Sequence, residues 1–322
     1  VRINLSDTNV GGIAARSGKD SYAEGDTYTG IQNVIGSTAN DLFIASSVAN
    51  VFTGNGGSDT VSYTASDAGV VVNLSGALLE GVAAGRGEGG YAQNDTYNGI
   101  SNVIGSAYDD VFMANGGANA FDGGLGTNRV SYGASTANLI VNLSGTAITV
   151  NAVTVAAGTG KNGDAEGDTY LNIQNVTGGS GNDVFIASSQ VNAFDGGSGS
   201  NTVHYGASTT GVTVNLSGST QGALASMHGS GGDAEGDSYI NIQNVVGSAF
   251  DDIFYGGSAV NTFTGNGGRD RVSYAGDSAD LTINLAAGTG AGGTAAGDTY
   301  VGIHDATGGS GNDTFVASAA VN

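Results

Sequence analysis

The sequence predicts an all-β fold, an elongated parallel β-roll or β-solenoid built from tandem degenerate nonapeptides. Three observations point there. The chain of 322 residues holds 59 glycines and no proline, tryptophan or cysteine. Its glycines cluster between short apolar runs such as VTVNL and TVSY instead of recurring at every third position, which excludes a collagen helix. Large apolar residues recur on a nine-residue ruler inside a longer ruler of about seventy.

The long ruler comes first. Asp26, Asp95, Asp168, Asp237 and Asp298 each precede a hydroxyl residue and a tyrosine, at intervals of 69, 73, 69 and 61. From each of these aspartates the next acidic marker lies fifteen residues on, at Asp41, Asp110, Asp183, Asp252 and Asp313. Two steps of nine follow, to Asn50 and Asp59 or Asn192 and Asn201, and fourteen more residues reach the VNLSG strand at Asn73 or Asn215. All length variation falls between that strand and the next aspartate, where the spacing is 22, 22, 26, 22 and 14. A stacked coil that loses one residue flips its side-chain alternation, whereas a loop grows at small entropic cost. The variable stretches are therefore excursions. The longest, at 145–167, is apolar enough for a strand pair of its own, and the others are expected to be glycine turns. The internal units run 1–69, 70–138, 139–211, 212–280 and 281–322 within a single repetitive domain.

The core is legible next. Two residues after each nine-step marker stands a large apolar side chain: Phe43, Phe52 and Val61, then Phe112, Phe121 and Val130, Phe185, Phe194 and Val203, Phe254, Phe263 and Val272, and finally Phe315. Nine of the ten phenylalanines hold this register, and all nine are expected to point inward. The recurrent tyrosines, including Tyr63 and Tyr97, suit partly buried seams.

The chemistry sits in the turns. GGSGND at 178–183 and at 308–313 sets backbone carbonyls around a tight bend that ends in a carboxylate. Calcium takes six to eight hard oxygen ligands, which such bends supply. If two nonapeptides make one coil, residues eighteen apart stack about 4.8 Å from each other. That pairs Asp41 with Asp59 and Asp252 with Asp270 as the strongest sites. Asp183 and Asp313 contribute through intact turns, with carbonyls near Gly178, Gly179, Gly181, Gly308, Gly309 and Gly311. Asp110 and Asp183 face Asn128 and Asn201, copies that lose a negative charge. The opposite edge, at Asn50, Asn119, Asn192 and Asn261, is expected to be an asparagine ladder. The aspartates of the long ruler read equally well as turn caps or as ligands.

Gly178, Gly179, Gly181, Asp183 and Phe185, and likewise Gly308, Gly309, Gly311, Asp313 and Phe315, match the pattern G-G-x-G-x-D-x-U-x, where U is a large apolar residue. Here the chain resembles the RTX (hemolysin-type) calcium-binding nonapeptide-repeat proteins, and most of all the tandem modules of large secreted bacterial adhesins and surface-layer proteins. The resemblance implies an extracellular or cell-surface β-roll that folds with Ca2+ after secretion. Departures such as GSTAND at 36–41 imply fewer or weaker sites.

Formal charge is -21, from 8 basic and 29 acidic residues, a field that repels nucleic acid and anionic lipid. Without cysteine there is no disulfide framework, and no apolar run of about 18 residues spans a membrane. His204, His228 and His304 occupy different parts of the unit, read as isolated surface substitutions, and assemble no catalytic dyad. The chain is therefore expected to be no enzyme but a structural rod, filament or lattice segment that stacks end to end on itself or on neighbouring repeats. It begins at Val1 and ends at Asn322 inside the repeat, as an excerpt of something longer would. The alternatives are an adhesin module for a surface glycan or protein, with cell-surface or matrix components as partners, and the non-catalytic tail of a secreted enzyme.

Overall fold

The computed structural model describes residues 1–318, so the marker position Asn322 lies outside the described residues. Among them there are strands, nearly all three residues long, five single 3-10 turns and no α-helix. Contacts divide the chain into two compact units: Val1–Ala137 with Thr159–Gly179, and Asn138–Gly158 with the chain from Ser180.

In the first unit six strands stack in parallel: Arg2–Asn4, Leu42–Ile44, Thr60–Ser62, Asn102–Ile104, Ala120–Asp122 and Thr169–Leu171. Their central residues form one column, Ile3, Phe43, Val61, Val103, Phe121 and Tyr170. A second column runs Val34, Phe52, Tyr97, and a third Val72, Phe112, Val130, Val176. The second unit repeats the scheme, with Val141, Phe185, Val203, Val245, Phe263 and Tyr300 in one column. Val214, Phe254 and Val272 form another. Short strands suffice because each central side chain is covered by the coil on either side, so burial comes from stacking and not from strand length.

The eight phenylalanines from Phe43 to Phe263 in the ladder register are at most 1 % exposed. Within each copy the two rings stack, as in Phe185 with Phe194 at 5.6 Å and 3° between planes. Phe315 departs from the expectation. It pairs with Ile283 in register yet is 51 % exposed, because it stands on the last ladder step among the described residues with a strand on one side only. The tyrosines also differ: Tyr63, Tyr132, Tyr205 and Tyr239 are fully buried, not partly.

The excursions are more than glycine turns. Each sends out an antiparallel strand, such as Arg86–Glu88, which pairs with Val71–Asn73 on one side and with Thr96–Asn98 on the other. A 3-10 turn follows, with its alanine buried, as at Gly90–Ala92. The central residue of the excursion strand is glycine in all five copies, at 18, 87, 160, 229 and 290. A Cβ there would clash with a tyrosine hydroxyl and an alanine carbonyl, Tyr97 and Ala92 in the case of Gly87. The longest excursion does hold its own hairpin, Ile148–Val150 against Val153–Val155, packed on Ile140 and Ile186.

Candidate metal centre

The glycine–aspartate turns do not share one edge. In the first unit Asp41 and Asp59 precede the Phe43 and Val61 strands of the first column, whereas Asp110 and Asn128 precede the Phe112 and Val130 strands of the third, and in each case residues eighteen apart are stacked neighbours. The Asp41 amide donates to Asp59 Oδ1 at 2.8 Å, and the Asp252 amide to Asp270 Oδ1 at 2.9 Å. Asp110 and Asp183 donate in the same way to Asn128 and Asn201 Oδ1, each at 2.9 Å. The structure thus brings each expected pair to one edge, but it gives the two members different surroundings.

The first member of each pair is occupied by amides. Asp252 Oδ1 accepts from the Val212 amide at 2.7 Å and the Ser248 hydroxyl, and its Oδ2 accepts from the Ser248 amide. Asp110 repeats this with Val70 and Ser106. Asp41 accepts from Ser37 and from the amino terminus. Asp183 Oδ1 accepts from the Leu139 amide and Asp313 Oδ1 from the Leu281 amide. These carboxylates cap the turn of the adjoining coil. Burial nevertheless pushes the Asp110 and Asp252 carboxyls up from the usual range.

The second member is different. Asp59 and Asp270 are fully buried, and Oδ2 of each has no hydrogen-bond partner. A Cβ on Gly54 would clash with both Asp59 Oδ2 and the Gly99 carbonyl oxygen, and one on Gly265 with Asp270 Oδ2 and the Gly302 carbonyl oxygen. Two acceptor oxygens therefore converge on one spot with no donor between them. Burial raises both carboxyls, Asp270 to about 7. A buried oxygen without a partner is costly, and a hard cation removes that cost. The residues at Asp59 and Asp270 thus fit calcium, which would neutralise the carboxylate and draw in turn carbonyls. Among the described residues no three His, Cys, Asp or Glu side chains converge, so backbone oxygens must supply most ligands.

The intermediate asparagines do not fall on an opposite edge. Each excursion returns the chain to the sheet it left, so successive copies swap edges, and Asn119 stacks through Ser101 on the edge of Asp59 in a ladder that alternates asparagine with aspartate. Asn50, Asn119, Asn192 and Asn261 each donate a backbone amide to the aspartate of the next coil, Asp95, Asp168, Asp237 and Asp298, at 2.7–2.8 Å. An excursion intervenes between the two residues, which lie 37 to 49 apart in sequence, so equal spacing could not reveal the pairing. Oδ2 of the same aspartate accepts from a buried tyrosine, as in Tyr63 to Asp95 at 2.7 Å, and Tyr97 donates to Tyr63 in turn at 2.6 Å. Burial lifts Asp95, Asp168 and Asp237 to about 7 and Asp298 to about 6. These four carboxylates cap backbone and bind phenol. Asp26 is exposed.

Sequence reasoning missed the buried asparagine of VNLSG. Asn73 Nδ2 donates to the carbonyls of Ala77, Val82 and Ala83, while its Oδ1 accepts from the Ser75 amide and hydroxyl. Asn4, Asn142 and Asn215 do the same. Recurrence of N-L-S in four copies was the available signal. His204 is buried rather than on the surface; its Nδ1 accepts from the Gly206 amide, and burial lowers its pKa to about 4.

Stacked parallel coils joined by oxygen-rich glycine turns define the class: a β-roll with its polar chemistry on the turn edges. Comparison with known families narrows it further. The family described as RTX calcium-binding nonapeptide repeat (4 copies) matches residues 33–65, 90–130, 174–207, 243–278 and 306–320. The chain belongs to this family of calcium-binding repeats, which are not themselves catalytic and occur in secreted proteins. No curated protein matches the chain. No helix among the described residues is long and apolar enough to cross a membrane.

Proposed function

We propose that this chain is a structural repeat segment outside the cell, a rod, filament or surface-lattice element, stabilised by calcium at its turn edges. The observation that supports this most is where the ionisable groups are spent. Asp95, Asp168, Asp237 and Asp298 tie one coil to the next, and so do Asp110, Asp183 and Asp252. Chemistry repeated at every step serves stacking, whereas a catalytic constellation is assembled once. The direct calcium ligands are Asp59 and Asp270. Asp41, Asp183, Asp252 and Asp313 hold the turns on which ligand carbonyls sit. End-to-end association with further repeats follows from the same stacking scheme.

A ligand that binds only the folded chain stabilises it by mass action, about 2.7 kcal/mol at a hundred times Kd. Calorimetry should show Tm rising with calcium and falling in EGTA. Identical melting curves in both would refute the calcium part, and imaging that showed only isolated particles of the full-length protein would refute assembly.

A ligand-binding module is the second reading, and a cleft in the second unit favours it. About 240 Å³ in volume, it is lined by Ser217, Ser219, Gln221, Tyr274, Asp277 and Thr294 among others. Gln221 replaces the leucine found at the equivalent position 79. Specific capture of a glycan, lost in Gln221→Leu, would support this reading.

A further inference from the structure

We infer that only two of the four paired turns depend on calcium, because in the other two an asparagine amide nitrogen occupies the place the cation takes. The inference rests on the calcium reading of Asp59 and Asp270 and extends it to the turns that lack the carboxylate.

The geometry is a direct substitution. Asn128 Nδ2 donates at 3.0 Å both to the Leu125 carbonyl and to the Asn172 carbonyl. Asn201 Nδ2 donates to the Ser198 carbonyl at 3.2 Å and to the Asn241 carbonyl at 3.0 Å. The Asn172 and Asn241 carbonyls stand where those of Gly99 and Gly302 stand: a Cβ on Gly123 or Gly196 would clash with the Asn Nδ2 and that carbonyl, as one on Gly54 or Gly265 would with Asp Oδ2 and its counterpart. In the asparagine turns a donor lies against this carbonyl. In the aspartate turns a second acceptor does, and it is buried and unpartnered. A carboxylate oxygen facing a carbonyl oxygen needs a cation or a donated hydrogen between them, and the amide brings such hydrogens of its own.

The surrounding residues change together with the occupant. Aspartate turns read G-N-G-G, and their third residue, Gly56 or Gly267, has φ +111° or +134°. Asparagine turns read G-G-L-G or G-G-S-G. There the third residue, Leu125 or Ser198, keeps negative φ and offers the carbonyl that the amide uses. A carboxylate is retained in these turns but moved outward. Asp122 Oδ1 accepts from the Gly124 amide at 3.0 Å and from Asn172 Nδ2 at 2.8 Å, and Asp195 does the same with Gly197 and Asn241. Threonine stands at these positions, 53 and 264, in the aspartate turns. Each turn is thus built around one occupant, a metal ion or an amide.

The test compares melting temperatures in EGTA and in calcium for the wild type and three variants, with calorimetric calcium titration beside them. Asp59→Asn with Asp270→Asn should melt a few degrees above the wild type in EGTA and should lose the calcium response. A second version covers failure of that variant to fold. It transfers the whole turn, adding Asn55→Gly, Gly56→Ser, Asn266→Gly and Gly267→Ser, and should behave alike. The reciprocal chain, Asn128→Asp with Asn201→Asp, should melt below wild type in EGTA, recover in calcium and bind additional ions. If the wild type responds to calcium while neither aspartate-to-asparagine chain gains stability in EGTA, the amide does not replace the cation and the inference falls alone. If the wild type shows no calcium binding and no change in melting, the calcium reading falls and takes the inference with it.

Discussion

Replacing Phe185 by alanine tests the ladder at its centre. The side chain is fully buried, lies between Val141 and Val203 in its column, and stacks on Phe194 at 5.6 Å. Its removal forfeits the transfer energy of the ring, leaves a cavity that the coils above and below cannot collapse into without breaking register, and loses the aromatic pair. Phenylalanine-to-alanine changes at such sites cost about 3–5 kcal/mol. The chain has no tryptophan, so urea unfolding is followed by far-ultraviolet circular dichroism and tyrosine fluorescence. The midpoint should fall while the m-value stays constant, since the surface exposed on unfolding hardly changes. Phe250→Ala is the control: this ring lies outside the ladder and is 46 % exposed, so its loss should cost less than about 1 kcal/mol. A cost below about 1 kcal/mol for Phe185 as well would refute the nine-residue core.

Two further outcomes are expected. Asp95, Asp168 and Asp237 titrate at about 7 in the folded chain and Asp298 at about 6, above the ordinary carboxyl value of 3.8, so the folded state binds more protons between those limits. Their contribution to stability is complete below about pH 4 and is lost as pH rises through about 7, so Tm should decline between pH 5 and pH 8. Asp168→Asn should flatten part of that decline, and an equal slope in both chains would refute the assignment. Asn215→Ala leaves the carbonyls of Ser219, Leu224 and Ala225 without their common donor and should cost about 1–3 kcal/mol in urea unfolding, whereas Asn115→Ala, on a half-exposed turn, should cost far less.

Much of the fold was readable before any coordinate, because a stacked coil imposes its period on the chain. The phenylalanine register, the alternation of eighteen-residue steps with longer ones, the strand pair in the longest excursion and the resemblance to the calcium-binding repeat all follow from spacing. Phe315 was misjudged for a reason that spacing does not contain: burial in a solenoid needs a neighbour on both sides. Two partnerships were also out of reach. Asn50 meets Asp95, and Tyr63 meets Tyr97, across excursions whose length differs from copy to copy, so no fixed interval points to them.

By itself, then, the sequence determined the period, the core register and the eighteen-residue pairing of the aspartates, while the edge each pair occupies came from the excursions, which return the chain to the sheet it left. Only the tertiary structure decided which of those aspartates is free to take a charge. Asp41 and Asp59 carry the same side chain on the same edge. One is satisfied by Ser37 and the other keeps a buried oxygen turned toward the Gly99 carbonyl. The reason is physical: a carboxylate's chemistry depends on the direction of donors within about 3 Å, and in a roll those donors come both from its own turn, as Ser37 does for Asp41, and from the adjoining coil, as Val70 does for Asp110.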